Sequence, residues 1–208
     1  LYSLPLSTTQ VVLGKYLSAL LVYLIPLCLI CIYPLIFSQY GEVYLLTSYG
    51  SLFAFFLMGG ALLAVGMFIS SLTDNQGFAA GIGIAVIALN YFSVSLAEYV
   101  SATAMGSAIA LMVISALLGW LIRNLTRNEN LGYGVGLGLM AVTTVFYLID
   151  STKFEGLLPD IMKKLSLFDR LDTFVNGVFD LTAVVYYLSV AVFFLFLTVQ
   201  SLEKRRYN

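Results

Sequence analysis

The stretch VYLLTSYGSLFAFFLMGGALLAVGMFISSLT, Val43–Thr73, contains no Asp, Glu, Lys or Arg. It ends at Asp74, and the chain then runs without charge from Asn75 to Ala97. Each run exceeds the roughly 20 helical residues that cross a hydrocarbon core. The apolar residues are continuous rather than alternating, so strands of a membrane barrel are excluded. A chain in lipid must satisfy its own backbone hydrogen bonds, and a helix does so within one segment. Working outward, the same pattern recurs before this stretch at Tyr16–Gly41, and after it at Tyr99–Ile122, Leu131–Ile149 and Leu181–Leu202. Composition agrees: hydrophobic residues make up 61% and charged residues 10% of the 208, with a mean hydropathy of +0.97. Soluble domains carry about 25% charge because their surfaces face water. The expected fold is an all-α integral membrane protein: one transmembrane domain over residues 1–208, a polytopic bundle of about six membrane helices with an external amphipathic helix.

The boundaries follow from local signals. Ser7-Thr8-Thr9-Gln10 fits a capping box, and Pro5 separates the helix it starts from what precedes it. The first span is expected over 8–38, bent at Pro26 and Pro34. Further spans are expected over 49–72, 76–96, 103–122, 131–149 and 181–202. Thr73-Asp74-Asn75-Gln76 reads as a second capping box in a tight turn between two of them. Between Asp150 and Asp180, Ile161, Leu165, Phe168, Leu171, Val175 and Val178 recur at steps of three or four, with Lys163, Lys164, Asp169, Arg170 and Asp172 largely between them. That pattern predicts one amphipathic helix within 154–180, too polar to cross. Basic residues fix the orientation. With both ends cytoplasmic, Lys15, Arg123, Arg127, Lys204, Arg205 and Arg206 all fall inside.

Few residues offer chemistry. The chain has no histidine, the commonest general base and metal ligand, and its two cysteines, Cys28 and Cys31, read as packed small side chains rather than a metal site. Leu13-Gly14-Lys15-Tyr16 lacks the upstream glycine and the hydroxyl of a phosphate-binding loop, so the chain is not expected to hydrolyse ATP by itself. Every charged residue falls at an expected span boundary, which argues against a proton relay at the midplane. A net charge of −1 argues against a nucleic-acid partner. Gly132, Gly134, Gly136 and Gly138, and likewise Gly77 and Gly81, read as small-residue stripes for close helix packing. Asn90 has two readings, an interhelical hydrogen bond or a residue of a translocation path. Tyrosines and Trp120 near span ends read as interfacial anchors.

Three stretches resemble a known family. Leu1-Tyr2-Ser3-Leu4-Pro5-Leu6-Ser7 followed by Val11-Val12-Leu13-Gly14-Lys15-Tyr16-Leu17 looks like the segment after the second membrane helix of type-2 ABC exporter permeases. Gly66-Met67-Phe68-Ile69-Ser70-Ser71-Leu72-Thr73-Asp74-Asn75-Gln76 resembles that family's cytoplasmic turn between its fourth and fifth helices. Phe174-Val175-Asn176-Gly177-Val178-Phe179-Asp180, with Val185-Tyr186-Tyr187-Leu188, resembles its external segment and final helix, nearest to the gliding-motility-like subgroup.

The resemblance implies a permease subunit of a bacterial plasma (inner) membrane exporter, driven by a separate ATP-binding cassette subunit and paired with a second permease subunit. ATP and magnesium would sit on the partner, and no cofactor is expected in this chain. Leu1, Tyr2, Ser3, Leu4, Pro5 and Leu6 would form the coupling segment that meets the ATPase, with Leu1, Tyr2 and Leu4 as apolar anchors. Thr73, Asp74, Asn75 and Gln76 would form the cytoplasmic turn. Family members place a single helix where this chain has three, so Thr103–Ile149 reads as an inserted hairpin. The opening at Leu1, in mid-motif, leads us to expect further helices upstream, and about eight spans once two are restored. The alternative is a non-transporting assembly or sensor subunit on the same scaffold. A membrane-embedded enzyme has no supporting residues.

Overall fold

The computed structural model describes residues 7–100, 102–126 and 129–207. Their elements are α1 (Thr8–Ile30), α2 (Tyr33–Phe37), α3 (Leu45–Leu72), α4 (Gln76–Tyr99), α5 (Ala104–Thr126), α6 (Glu129–Ile149), a 3-10 turn (Ser151–Phe154), α7 (Leu157–Leu165), α8 (Asp169–Val175) and α9 (Leu181–Tyr207), with no strand among the described residues. Five stretches are helical, long and apolar enough to cross a membrane: Thr8–Phe37, Leu45–Leu72, Gln76–Tyr99, Gly132–Ile149 and Leu181–Lys204. In α5 the described apolar stretch is shorter, Ala104–Trp120. Leu21 of α1 is 63% exposed and Leu137 of α6 64%. Apolar helices with such outward faces need an apolar solvent.

The chain forms two compact units, one from the residues up to Tyr91 together with those from Leu167 on, the other from Phe92–Ser166. In the first, α3 and α9 form the core. Ala54, Met58 and Ala61 of α3 meet Ala183 and Tyr187 of α9. Further along, Phe68 and Phe194 have ring centroids 5.7 Å apart, and the Ser201 hydroxyl donates to the Ser71 carbonyl at 3.3 Å. Positions rise together on both helices, so α3 and α9 run parallel. Alanine at the contact lets them approach closely, which is where packing energy between helices in lipid comes from.

The first helix runs antiparallel to α3, joined by tyrosine hydroxyls. Tyr16 donates to the Gly60 carbonyl at 3.0 Å, Tyr23 to Phe55 at 3.0 Å, and Tyr49 of α3 to Cys31 at 3.1 Å. The Tyr23 ring lies where a side chain on Gly59 would stand. The expected span over 8–38 is one apolar stretch, Thr8–Phe37, made of two helices: Pro26 lies within α1, which stops at Ile30, and Pro34 sits in the first turn of α2. Proline has no N–H to bond four residues back, and the first turn of a new helix is where that lack is tolerated.

The expected amphipathic segment is divided, correcting the expectation of one helix within 154–180. Ser166 adopts an extended conformation (ψ 126°) that ends α7, and α8 starts afresh at Asp169. The break resets the helical register. Leu167 and Phe174 become the buried residues, while the expected apolar-face residues Leu165, Val175 and Val178 are exposed. At the end of α8, Gly177 takes φ +81°, its N–H bonds the Phe174 carbonyl, and the Val178 N–H bonds that of Thr173. This is a Schellman closure, and it needs glycine at the left-handed position. It holds α8 beside α3, where the Ser51 hydroxyl donates to the Phe174 carbonyl at 3.1 Å.

The second unit is built on the antiparallel hairpin α5–α6. A side chain on Gly119 would stand 2.7 Å from the Gly136 Cα, and one on Gly132 would collide with Arg123. Gly132 and Gly136 therefore do pack closely, as expected. Gly134, Gly138 and Gly81 have nothing within 4 Å, and Gly77 meets only the Asn75 side chain, so the rest of the expected stripes make no such contact. Arg123 of α5 pairs with Glu129 of α6 and lies 5.2 Å from the Tyr133 ring centroid. After α6 the Thr152 hydroxyl donates to Asp150, and this bond holds the Asp150 carboxyl below its ordinary pKa, aided by Lys153 at 3.6 Å. Phe154 is buried edge-on to Tyr147, and Gly156, at φ +71°, donates its N–H to the Ala102 carbonyl.

Candidate functional site

In the first unit, the backbone that leads into α8 at Leu167 and Phe168 is not helical, and side chains hold it. The Leu167 N–H donates to Asn90 Oδ1 at 2.9 Å, and the Leu167 carbonyl accepts from the Tyr187 hydroxyl at 2.8 Å. Phe168 stacks edge-on against Tyr91, centroids 5.2 Å apart. Tyr187 lies about 9 Å along α9 from its start, at 1.5 Å per residue. Leu167 is 4% exposed, and irregular backbone at such a depth persists only where its polar groups find partners. Asn90, for which an interhelical bond is one of the two expected readings, here accepts from a loop amide. Three residues after Leu167, the Arg170 guanidinium lies 4.1 Å from the Tyr186 ring centroid, a stacked contact worth about 0.5–2 kcal/mol.

Two apolar grooves open on the flank of α3. One, of about 530 Å³, is lined by Ile30, Phe37, Ser48, Phe55, Leu171 and Val175 among others. The other, of about 610 Å³, includes Tyr23, Phe55, Met58, Met67, Ile87 and Phe168. They share Phe55 and follow one another along α3 from Ser48 to Ser70. That path is about 33 Å at 1.5 Å per residue, close to the thickness of a hydrocarbon core.

At the opposite end of α3, the Thr73–Gln76 turn is capped, though not as a box from Thr73. Asn75 is the N-cap of α4: its Oδ1 accepts from the Phe78 N–H at 3.1 Å, and the Thr73 hydroxyl accepts from the Asn75 N–H at 3.2 Å. At the start of α1 the expected box is present, with the Ser7 hydroxyl accepting from the Gln10 N–H and the Gln10 amide oxygen from the Ser7 N–H. Leu1, Tyr2, Ser3, Leu4, Pro5 and Leu6, the expected coupling segment, lie outside the described residues. Sequence reasoning missed Tyr16, Tyr23 and Tyr187, whose hydroxyls bind between elements. Tyr16 and Tyr23 fall seven apart on one face of α1, a spacing that could have flagged them. Among the described residues no group of His, Cys, Asp and Glu could hold a metal ion.

Fold and site together define a helical protein with five membrane-length apolar helices, a buried loop clamped by Asn90 and Tyr187, and a long apolar flank. No family model, no curated protein and no solved structure matches the chain.

Proposed function

We propose that the chain is the membrane-spanning permease subunit of a type-2 ATP-binding cassette exporter, crossing the plasma membrane six times with both ends in the cytoplasm. A separate ATPase subunit, carrying ATP and magnesium, drives it, and a second permease subunit completes the transporter. The reading rests on the opening motif: Leu1–Leu6 resembles a coupling segment, and the reciprocal Ser7–Gln10 cap begins a long apolar helix directly after it. A capped helix is a stiff lever, and force applied to its foot is transmitted along its axis. The parallel course of α3 and α9 is compatible with the topology, since second and sixth crossings run in the same direction. The groove along α3 offers apolar cargo a route that keeps it beside lipid.

In this mechanism the ATPase grips Leu1, Tyr2 and Leu4, and closure of the ATPase pair moves the capped helix between inward and outward states. The shift cannot exceed the difference in docking energy between those states. Purification in detergent with mass spectrometry of attached proteins tests the partner: a co-purifying cassette ATPase is expected. Tyr2→Asp with Leu4→Asp is expected to abolish substrate-stimulated ATP hydrolysis in reconstituted complexes while leaving the membrane part folded. Unchanged stimulation removes the proposed contact. An ATPase that binds without any transport would favour an assembly or sensor subunit.

A further inference from the structure

In the first unit α4 is placed differently from α1, α3 and α9. Those three pack on one another, whereas among the described residues α4 lies closely along no other helix. Three of its ties within that unit fall on one short stretch: Asn90 to the Leu167 amide, Tyr91 to the Phe168 ring, and Ile87 on the wall of the 610 Å³ groove. Phe168 lines the same groove, as does Met58, which is 3% exposed. Leu167 is fastened a second time, to α9, by Tyr187. One loop residue thus joins a firmly packed helix through its carbonyl and a loosely packed helix through its amide.

We propose that the Asn90–Leu167 hydrogen bond is a latch that holds the Ile87–Tyr91 stretch of α4 over the groove, and that its release opens the groove beside Met58. The latch has one fixed side, Leu167 on Tyr187, and one moving side, Asn90 on α4. Breaking it frees the Leu167 amide, and Phe168 loses the partner ring that Tyr91 holds against it. The Tyr187 bond keeps the loop on α9 in either state. The inference stands whether or not an ATPase drives the chain.

Thiol accessibility in the full chain tests it. Cys28 and Cys31 are replaced by serine and Met58→Cys serves as reporter, its reaction with a dithiodipyridine followed in detergent and in lipid nanodiscs. Asn90→Ala is expected to raise the modification rate about tenfold, the factor equivalent to about 1.4 kcal/mol. Tyr187→Phe cuts the fixed side only and is expected to stay within about twofold of the parent, because α4 remains tied to the loop. No acceleration in Asn90→Ala overturns the latch, and equal acceleration in Tyr187→Phe overturns it in favour of general loosening of the core. Helical circular dichroism and a single elution peak establish that each variant folds. If Asn90→Ala does not, Asn90→Ser replaces it under the same two criteria, since the shorter hydroxyl falls short of Leu167 and turns to its own helix.

Discussion

The tyrosine hydroxyls divide by what they bind. Those of Tyr16 and Tyr23 donate to carbonyls within α3, which already accept bonds from their own helix. The Tyr187 hydroxyl donates to the Leu167 carbonyl, which belongs to no helix and is buried. Removing the first kind leaves no carbonyl unpartnered, so Tyr16→Phe is expected to cost about 0.6 kcal/mol, the average for hydrogen bonds between membrane helices. Removing the second kind strands an acceptor, and Tyr187→Phe is expected to cost about 1–3 kcal/mol. Unfolding by a mixed-micelle denaturant series measures both, and equal costs would show that the Leu167 carbonyl finds another donor. The α4 cap offers a second comparison at this scale. Asn75→Ala is expected to destabilise by about 1 kcal/mol. Gln76→Ala is expected to change stability by less than about 0.5 kcal/mol, because Gln76 is the first helical residue here and not the reciprocal partner of a box. A larger loss from Gln76→Ala in the same titration would restore the box.

Between elements, the α5–α6 hairpin depends on three glycines and is indifferent to two others. Gly119→Ala would push its methyl group onto the Gly136 backbone, which cannot swing aside as a flexible side chain would. The hairpin must splay, at an expected cost of about 1–3 kcal/mol. Gly134→Ala and Gly138→Ala meet open space and are expected to stabilise by up to about 1 kcal/mol through helix propensity. Thermal unfolding in detergent that gave both groups the same sign would contradict the packing. The sequence marked the stripe but could not rank its glycines, because the choice depends on which face of α6 turns to α5. The same limit explains the other differences. The Ser7–Gln10 box was legible because both its partners lie within four residues of chain. The α7–α8 break was not, because the groups that hold Leu167, Asn90 and Tyr187, are distant in sequence and override a local periodicity that favours one helix. At the Thr73–Gln76 turn two capping side chains stand two residues apart, and only the backbone path decides that Asn75 takes the cap.

At the scale of the whole molecule, the open question of topology falls on α5 and α6. The uncharged runs of α5 and α6, residues 104–122 and 131–149, each span about 28 Å at 1.5 Å per residue, close to a core of about 30 Å. The hairpin also carries interfacial side chains at the ends of these runs. Trp120 is 60% exposed, and Arg123 stacks on Tyr133 beside Glu129, an aromatic and basic belt of the kind found at a membrane surface. A hairpin lying outside the membrane would instead expose two apolar helices to water. The proposed six-span topology therefore puts Glu129 on the same side as the Thr73–Gln76 turn, and Lys153 on the other. Single cysteines at Glu129, Thr73 and Lys153, in a chain without Cys28 and Cys31, test this in sealed inverted and right-side-out vesicles with a membrane-impermeant maleimide. Glu129→Cys and Thr73→Cys are expected to react in inverted vesicles, and Lys153→Cys in right-side-out ones. If Glu129→Cys follows Lys153→Cys, the hairpin does not cross. The chain then has four spans, and the Arg123 and Arg127 charges lie on the outer face, against the rule that otherwise orients the protein.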